Sequence, residues 1–287
     1  ITMVSEFDLA LSNDIASKIE SFGNEYQYVV YTALFGEIDE LQDPVGIEND
    51  NALFICFTDR SDIKSDIWNI VYIEDSDDNS RISAKYWKFF GYRSFTKQAK
   101  ITIWVDASLK IINSLLPLSQ EMLENTQGAS ILTFHHPQRS CAYSEFFWIF
   151  AQGQESIKSL VRTWFFLKKN RYICGNGLIN GTVLIRKYFV EEENKLDKLM
   201  LKWWRCINTY SSRDQLTFNF LVSRKEFNGI HNYLNSNDSV IDGNYFKRVR
   251  VVKFNSQINP SSKINLRHKL YYLASITRKY FKKNRDS

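Results

Sequence analysis

Asp59, Asp106 and His135 each stand immediately after a short apolar run with the make-up of a β-strand. In an open parallel α/β sheet, ligands gather outside the carboxyl ends of the strands, and polar groups delivered there by separate strands assemble a site. One such aspartate is an ordinary turn residue; the set points to a site. Carboxylates suit hard divalent cations, which prefer oxygen ligands and bridge carboxylate to phosphate. Trp104-Val105-Asp106-Ala107-Ser108 is a degenerate Asp-x-Asp, with Ser108 where the second acid would stand. Imidazole is a common metal ligand too. In His135-His136-Pro137 an extended backbone turns adjacent rings to opposite sides, so one of the two can face a site.

Further along, Ser211-Ser212-Arg213-Asp214-Gln215 has the pattern of a helix start, with serine or aspartate as the cap. A helix N-terminus favours anions, and Arg213 could add a charge-assisted bond to phosphate or carboxylate. Asp214 is either that cap or the group that orients or deprotonates an acceptor hydroxyl. Lys85 and Lys88 lie three residues apart and share a helix face with the meaning either of a solvated surface or of a diphosphate contact.

Several elements must hold these groups in place. Strands are expected over residues 28–35, 52–58, 68–73, 101–105, 131–134 and 178–185, each rich in β-branched and aromatic side chains. Their continuous apolar character suits a parallel sheet covered on both faces. Helical spacing marks residues 81–95, a stretch after Pro117, residues 145–167 with a break at Gly153, and residues 196–210. The pattern is α/β: a single domain over residues 1–260 with a central, mostly parallel sheet flanked by helices, and a basic helical tail over residues 261–287.

The net charge of +5 is concentrated in that tail, where Lys263, Arg267, Lys269, Arg278, Lys279, Lys282, Lys283 and Arg285 face only Asp286. Leu266, Leu270, Leu273 and Ile276 recur there at helical spacing, the pattern of a basic amphipathic helix that lies on an anionic membrane or packs on its own domain. A nucleic-acid-binding domain would carry its charge across the fold, so nucleic acid is not an expected partner. No run approaches the roughly 18–20 apolar residues that span a bilayer, and residues 1–7 lack the pattern of a leader. Cys56, Cys141, Cys174 and Cys206 form no CxxC pair, which reads as free thiols of a reducing compartment. The wealth of Asn, Ile, Lys and Tyr against 4 Pro fits an AT-rich, bacterial source.

In order along the chain, Tyr31-Thr32-Ala33-Leu34-Phe35-Gly36 with Asp39-Glu40-Leu41, Cys56-Phe57-Thr58-Asp59, Lys85-Tyr86-Trp87-Lys88, Trp104-Val105-Asp106-Ala107-Ser108, His135-His136-Pro137-Gln138-Arg139 with Cys141-Ala142-Tyr143-Ser144-Glu145, and Trp203-Trp204 with Ser212-Arg213-Asp214-Gln215 resemble the glycosyltransferase-like family of the plant TOD and MUCI proteins. That family also occurs in bacterial surface-polysaccharide clusters. The resemblance spans about residues 28–221 and implies a GT-A-like fold and a nucleotide-sugar-dependent, hexosyltransferase-like activity. By it, Tyr31, Thr32, Ala33, Asp59, Lys85, Asp106 and Arg213 would bind the donor, a UDP-sugar first. Asp214 would serve the acceptor side as the catalytic carboxylate. Asp106, with His135, would hold a divalent cation, manganese or else magnesium. The acceptor would be a glycan or lipid-linked glycan of capsule or lipopolysaccharide O-antigen synthesis, and the enzyme cytoplasmic or peripheral on the inner face of the cytoplasmic membrane.

Two other functions fit the same residues. A metal-dependent phosphoesterase would use Asp39, Asp59, Asp106, His135 and His136, with a denser ligand set around two metals. A non-catalytic nucleotide- or carbohydrate-binding module would account for the many Trp and Tyr.

Overall fold

The computed structural model describes residues 13–36, 40–74, 80–124, 128–175, 177–188, 193–235 and 239–249. The expected tail over 261–287, and Asp39, lie outside the described residues. Packing divides the chain into two units. The first comprises Ile1–Phe134, Gly181–Met200 and Gly229–Lys253, the second His135–Asn180, Leu201–Asn228 and Phe254–Ser287.

The first unit is built on a seven-stranded sheet of β1 (Tyr28–Leu34), β2 (Ala52–Thr58), β3 (Asn69–Tyr72), β4 (Ile101–Val105), β6 (Ile131–His135), β7 (Ile179–Lys187) and β8 (His231–Tyr233), in the order β3-β2-β1-β4-β7-β6-β8. β1 pairs in parallel with β2 and β4, and β2 with β3, whereas β7 runs antiparallel to β4. Every residue of β1 and β4 is buried, the reason their sequences carry no polar alternation. On one face Tyr28, Val30, Ile101, Ile103 and Val105 join the core beneath α3 (Leu116–Glu124). On the other, Tyr31 lies 5.2 Å from Phe95 and Phe57 stacks on Trp87 at 3.8 Å, below α2 (Ser80–Phe90). Gly91, just after that helix, must be glycine: a Cβ there would come within 2.9 Å of the Tyr31 ring. A short helix, α1 (Asn13–Ser21), and a two-stranded pair of β5 (Leu109–Ile111) and β9 (Phe246–Arg248) belong to the same unit.

The strand order places a topological switch at β1. The chain winds outward through β2 and β3 on one side and returns to β4 on the other. The crevice at such a switch, outside the carboxyl ends of the strands, is where open α/β sheets bind ligands. Leu34 ends β1 and Val105 ends β4, so residues 35–36 and Asp106 flank it.

The second unit contains α4 (Ala142–Gln152), α5 (Ile157–Lys169) and α7 (Gln215–Val222). The helix expected over 145–167 is thus two helices, divided at Gly153, whose φ of 64° closes α4 in the left-handed conformation. Ile149, Leu160 and Leu216 form the centre of this unit, and Phe166 stacks on Tyr210 at 4.2 Å. The chain passes from the first unit into the second within α6 (Glu193–Thr209).

Cys141 and Cys174 form a disulfide across a separation of 33 residues, their Cα atoms 5.4 Å apart. This corrects the reading of all four cysteines as thiols. The pair meets because α4 and α5 fold back as a hairpin, a juxtaposition that sequence spacing does not reveal. Cys56 and Cys206 are buried free thiols, as expected of apolar surroundings.

Candidate active site

In the first unit, Asp106 follows β4 directly. Its N–H still donates to Thr182 O at 2.8 Å, and its carbonyl accepts from Leu109 N–H at 2.9 Å, closing a turn. Strand periodicity puts Asp106 on the same face as Trp104, and the indole Nε1 donates to Asp106 Oδ1 at 2.5 Å. Lys88, near the end of α2, brings its Nζ to the same oxygen at 3.3 Å. The lysine side chain is 4% exposed and the aspartate 30%, so an internal cation meets a carboxylate open to solvent.

Behind this pair lies Arg186 of β7, 1% exposed. Its Nη1 donates to the Tyr31 hydroxyl at 2.5 Å, its Nη2 to the carbonyl of Lys88 at 2.8 Å, and its charge sits 5.1 Å from the Tyr92 ring. The Tyr31 hydroxyl in turn donates to that carbonyl at 3.4 Å. Burial holds the Tyr31 pKa up, although the Arg186 charge opposes it. Tyr31 therefore stands behind the strand edge, fully buried with its hydroxyl engaged. These guanidinium contacts are to uncharged groups, so positive potential backs the Lys88–Asp106 pair.

Asp59 follows β2, and both its oxygens accept the N–H of Gly36, at 3.1 and 3.2 Å. Gly36 has φ +69° and its Cβ position lies 2.7 Å from Ser80 Oγ, so only glycine fits. This clamp joins the ends of β1 and β2. Thr32 and Ala33 lie within β1 and are 2% and 6% exposed; the Thr32 hydroxyl has no hydrogen-bond partner among the described residues. Lys85 is half-buried on α2, one turn before Lys88.

In the second unit His135 ends β6 and is exposed, with partial desolvation lowering its pKa. His136 turns back instead. Its Nδ1 accepts the N–H groups of Gln138 and Arg139 at 3.2 and 3.1 Å, and burial together with the Arg139 charge pushes its pKa down to about 4. Arg139 pairs through Nε with Glu145, which is 4% exposed. Burial raises the Glu145 pKa despite Arg139, and the charges of Arg213 and Asp214 also act on it. Asp214, 7% exposed, caps α7: its Oδ1 accepts Gln215 N–H at 3.1 Å. Its carbonyl accepts the indole N–H of Trp203 at 3.0 Å. Arg213 Nη2 donates to Gln154 O at 3.2 Å. The loop before them is tied to Glu155, whose Oε2 accepts from Ser211 Oγ, Ser212 N–H and Ser212 Oγ at 3.1, 3.1 and 2.9 Å.

The expected site residues thus fall into two groups. Tyr31, Thr32, Ala33, Asp59, Lys85 and Asp106 belong to the first unit, and His135, Arg213 and Asp214 to the second. Among the described residues no three His, Cys, Asp or Glu side chains gather as a metal cluster. Asp106 nevertheless fits a hard cation. Both of its side-chain contacts are made at Oδ1, and such ions bind one or two carboxylates and take phosphate and water for the rest. The denser set of a phosphoesterase fits less well, since Asp59 is engaged on Gly36 and His136 on its own turn.

Arg186, Glu145 and Glu155 were not singled out from sequence as site residues, and Lys88 was marked only as a helix charge facing either solvent or a diphosphate. Lys88 had a signal in its three-residue spacing from Lys85. Arg186 had none, because the strand was expected to stop at residue 185 and β7 continues to Lys187.

The TOD1/MUCI70 glycosyltransferase-like domain matches the chain over residues 10–236. No curated protein sequence matches significantly. Among solved structures, mouse xyloside xylosyltransferase 1 in its apo form is similar at a TM-score of 0.38 and 9% identity, covering 73% of this chain and 84% of that one. The glycosyltransferase GlyE of Streptococcus pneumoniae TIGR4 is similar at 0.41 and 13% identity, covering 74% and 46%. The bifunctional glycosyltransferase WbbM in its apo structure gives 0.40 and 10%, covering 74% and 39%. The chain therefore spans less than half the length of the last two.

Proposed function

The chain belongs to the TOD1/MUCI70 glycosyltransferase-like family, and from that premise we propose that it moves a sugar from a nucleotide-sugar donor to a glycan acceptor in bacterial capsule or lipopolysaccharide O-antigen synthesis. The observation that carries this reading is Asp106, a carboxylate beside the switch-point crevice and anchored through one oxygen by Lys88 and Trp104. Such an edge suits a nucleoside diphosphate, and a UDP-sugar is the proposed donor.

Transfer breaks the bond from the anomeric carbon to the diphosphate, forms a bond to the acceptor oxygen and removes the acceptor's proton. Lys88, with Arg186 behind it, supplies positive potential where negative charge grows on the departing diphosphate. Thr32, Ala33, Asp59 and Lys85 are the proposed nucleoside contacts, with Tyr31 supporting them from within the sheet. Arg213 is proposed to meet phosphate or a carboxylate. Asp214 is the proposed base, taking the acceptor proton on its carboxylate. A divalent cation, manganese or magnesium, would be held by Asp106, with His135 as a further proposed ligand; when bound it neutralises diphosphate charge.

Among the described residues no helix is long and apolar enough to cross a membrane. The basic tail over residues 261–287 is proposed to hold the enzyme on an anionic membrane surface. The disulfide weighs against a reducing compartment, where such a pair is held as thiols.

Thermal shift against UDP, GDP and CMP, with and without manganese, followed by turnover of the stabilising nucleotide's sugars, tests the function. Stabilisation with sugar turnover supports a transferase, and stabilisation without turnover a binding module. Neither stabilisation nor turnover would contradict both.

A further inference from the structure

Helix α5 buries Leu160, Thr163 and Leu167 in the second unit. Its other side carries large apolar groups in water: Ile157 is 54% exposed, Val161 44% and Phe165 68%. At about 100° per residue these three fall within an arc of about 80°, a continuous stripe along the helix. Lys158, Arg162 and Lys169 occupy the next arc of about 40° beside it, and all three are exposed. Lys168 and Arg171 are exposed as well. Residues 156–172 contain no Asp or Glu.

Single exposed apolar residues are ordinary, whereas an aligned stripe marks an interaction surface. The chemistry flanking it selects the partner. Five cations with no acid on the same segment complement an anionic surface, and the aliphatic and aromatic stripe calls for an apolar phase behind the charge. Nucleic acid supplies the first but not the second. A second copy would bring like charges together, as would this chain's own basic tail. We infer that the exposed face of α5 docks on an anionic lipid surface, with Ile157, Val161 and Phe165 entering the headgroup boundary and the lysines and arginines meeting lipid phosphates. The surface is formed by residues of α5, none of which is proposed for sugar transfer.

Co-sedimentation of the full chain with vesicles of phosphatidylglycerol and phosphatidylcholine, compared with phosphatidylcholine alone, tests the inference. Three variants are measured: Lys158→Glu/Arg162→Glu/Lys169→Glu, Val161→Ser/Phe165→Ser, and the tail control Lys279→Glu/Lys282→Glu/Lys283→Glu. The altered helix residues are exposed, so circular dichroism melts should match the parent. Binding to the mixed vesicles is expected to weaken by about tenfold or more in the helix charge variant, and clearly in the apolar variant. Neutral vesicles should bind little, and salt should weaken binding to the mixed ones. Undiminished binding by both helix variants would overturn the inference. So would loss of binding only in the tail control, no binding by the parent, or a dimer that Val161→Ser/Phe165→Ser dissociates while vesicle binding stays unchanged. Sugar-nucleotide turnover in solution is read separately, so failure of either proposal leaves the other distinguishable.

Discussion

The indole Nε1 of Trp203 donates a 3.0 Å hydrogen bond to the main-chain carbonyl of Asp214. Trp203 is fully buried, and the same carbonyl accepts the N–H groups of Thr217 and Phe218 in the first turn of α7. The backbone of Asp214 is thus fixed from outside its own helix, while one carboxylate oxygen caps Gln215. A side chain that must meet an acceptor hydroxyl gains by such immobilisation.

Asp214→Ala should therefore lose transfer yet retain donor binding, because the donor contacts proposed above come largely from the first unit. Asp214→Asn should keep the cap and the melting behaviour while losing the base. Isothermal titration of the nucleotide beside turnover checks this. Donor affinity collapsing with activity would place Asp214 in the nucleotide site.

Glu155 predicts a pH effect. Burial alone would raise its pKa, but hydrogen bonds from Ser156, Ser212 and Ser211 outweigh it and lower the value below the ordinary 4.5. A depressed carboxylate contributes stability above its unfolded pKa and loses it as pH falls through the folded one. Unfolding free energy should fall below about pH 4.5, with a shallower fall in Glu155→Gln. The group is partly exposed, so the difference is expected to stay under about 1 kcal/mol. Parallel urea titrations of the two proteins across that window measure it.

The disulfide gives a third expectation. Denatured, unreduced protein should titrate two thiols, Cys56 and Cys206, and four after reduction. Cys174→Ser should destabilise the fold by about 2–4 kcal/mol, by releasing the closed loop in the unfolded chain. Four thiols before reduction would show that Cys141 and Cys174 do not pair in solution.

Arg186 and Lys88 give a fourth. Arg186→Met removes a buried cation from beneath Lys88 and leaves the Tyr31 hydroxyl and the Lys88 carbonyl short of a donor, at a cost of about 1–3 kcal/mol. Nucleotide affinity should fall too, and more steeply in Lys88→Met, whose charge lies directly on Asp106. Equal nucleotide affinity in Lys88→Met and the parent would remove this lysine from the diphosphate site.

The strands were legible because both faces of the sheet are covered: β2 and β4 run over the residues expected, since nothing charged interrupts them. The break at Gly153 was legible from glycine alone. By contrast β5, β8 and β9 are three residues each, too short for any periodicity to register. Asp106 could be picked out because it ends an apolar run. Lys88 lay among ordinary helix charges, and nothing in the sequence said that its ammonium would be buried against that aspartate. Glu145 stands in the first turn of α4, where an acid suits the helix by itself, so nothing local marks its pairing with Arg139. Cys141 and Cys174 meet through a helix hairpin whose closure no local pattern encodes.

The central claim is that Asp106 belongs to the donor site, and Asp106→Asn tests it most directly. Asparagine keeps the size and an acceptor oxygen for Trp104 and Lys88, so the melt should shift little while the charge is lost. Sugar-nucleotide turnover, measured beside thermal unfolding, is predicted to drop by about 10²-fold or more, the scale seen when one electrostatic contact to a transition state is removed. Turnover close to the parent's in a folded Asp106→Asn protein would contradict the account.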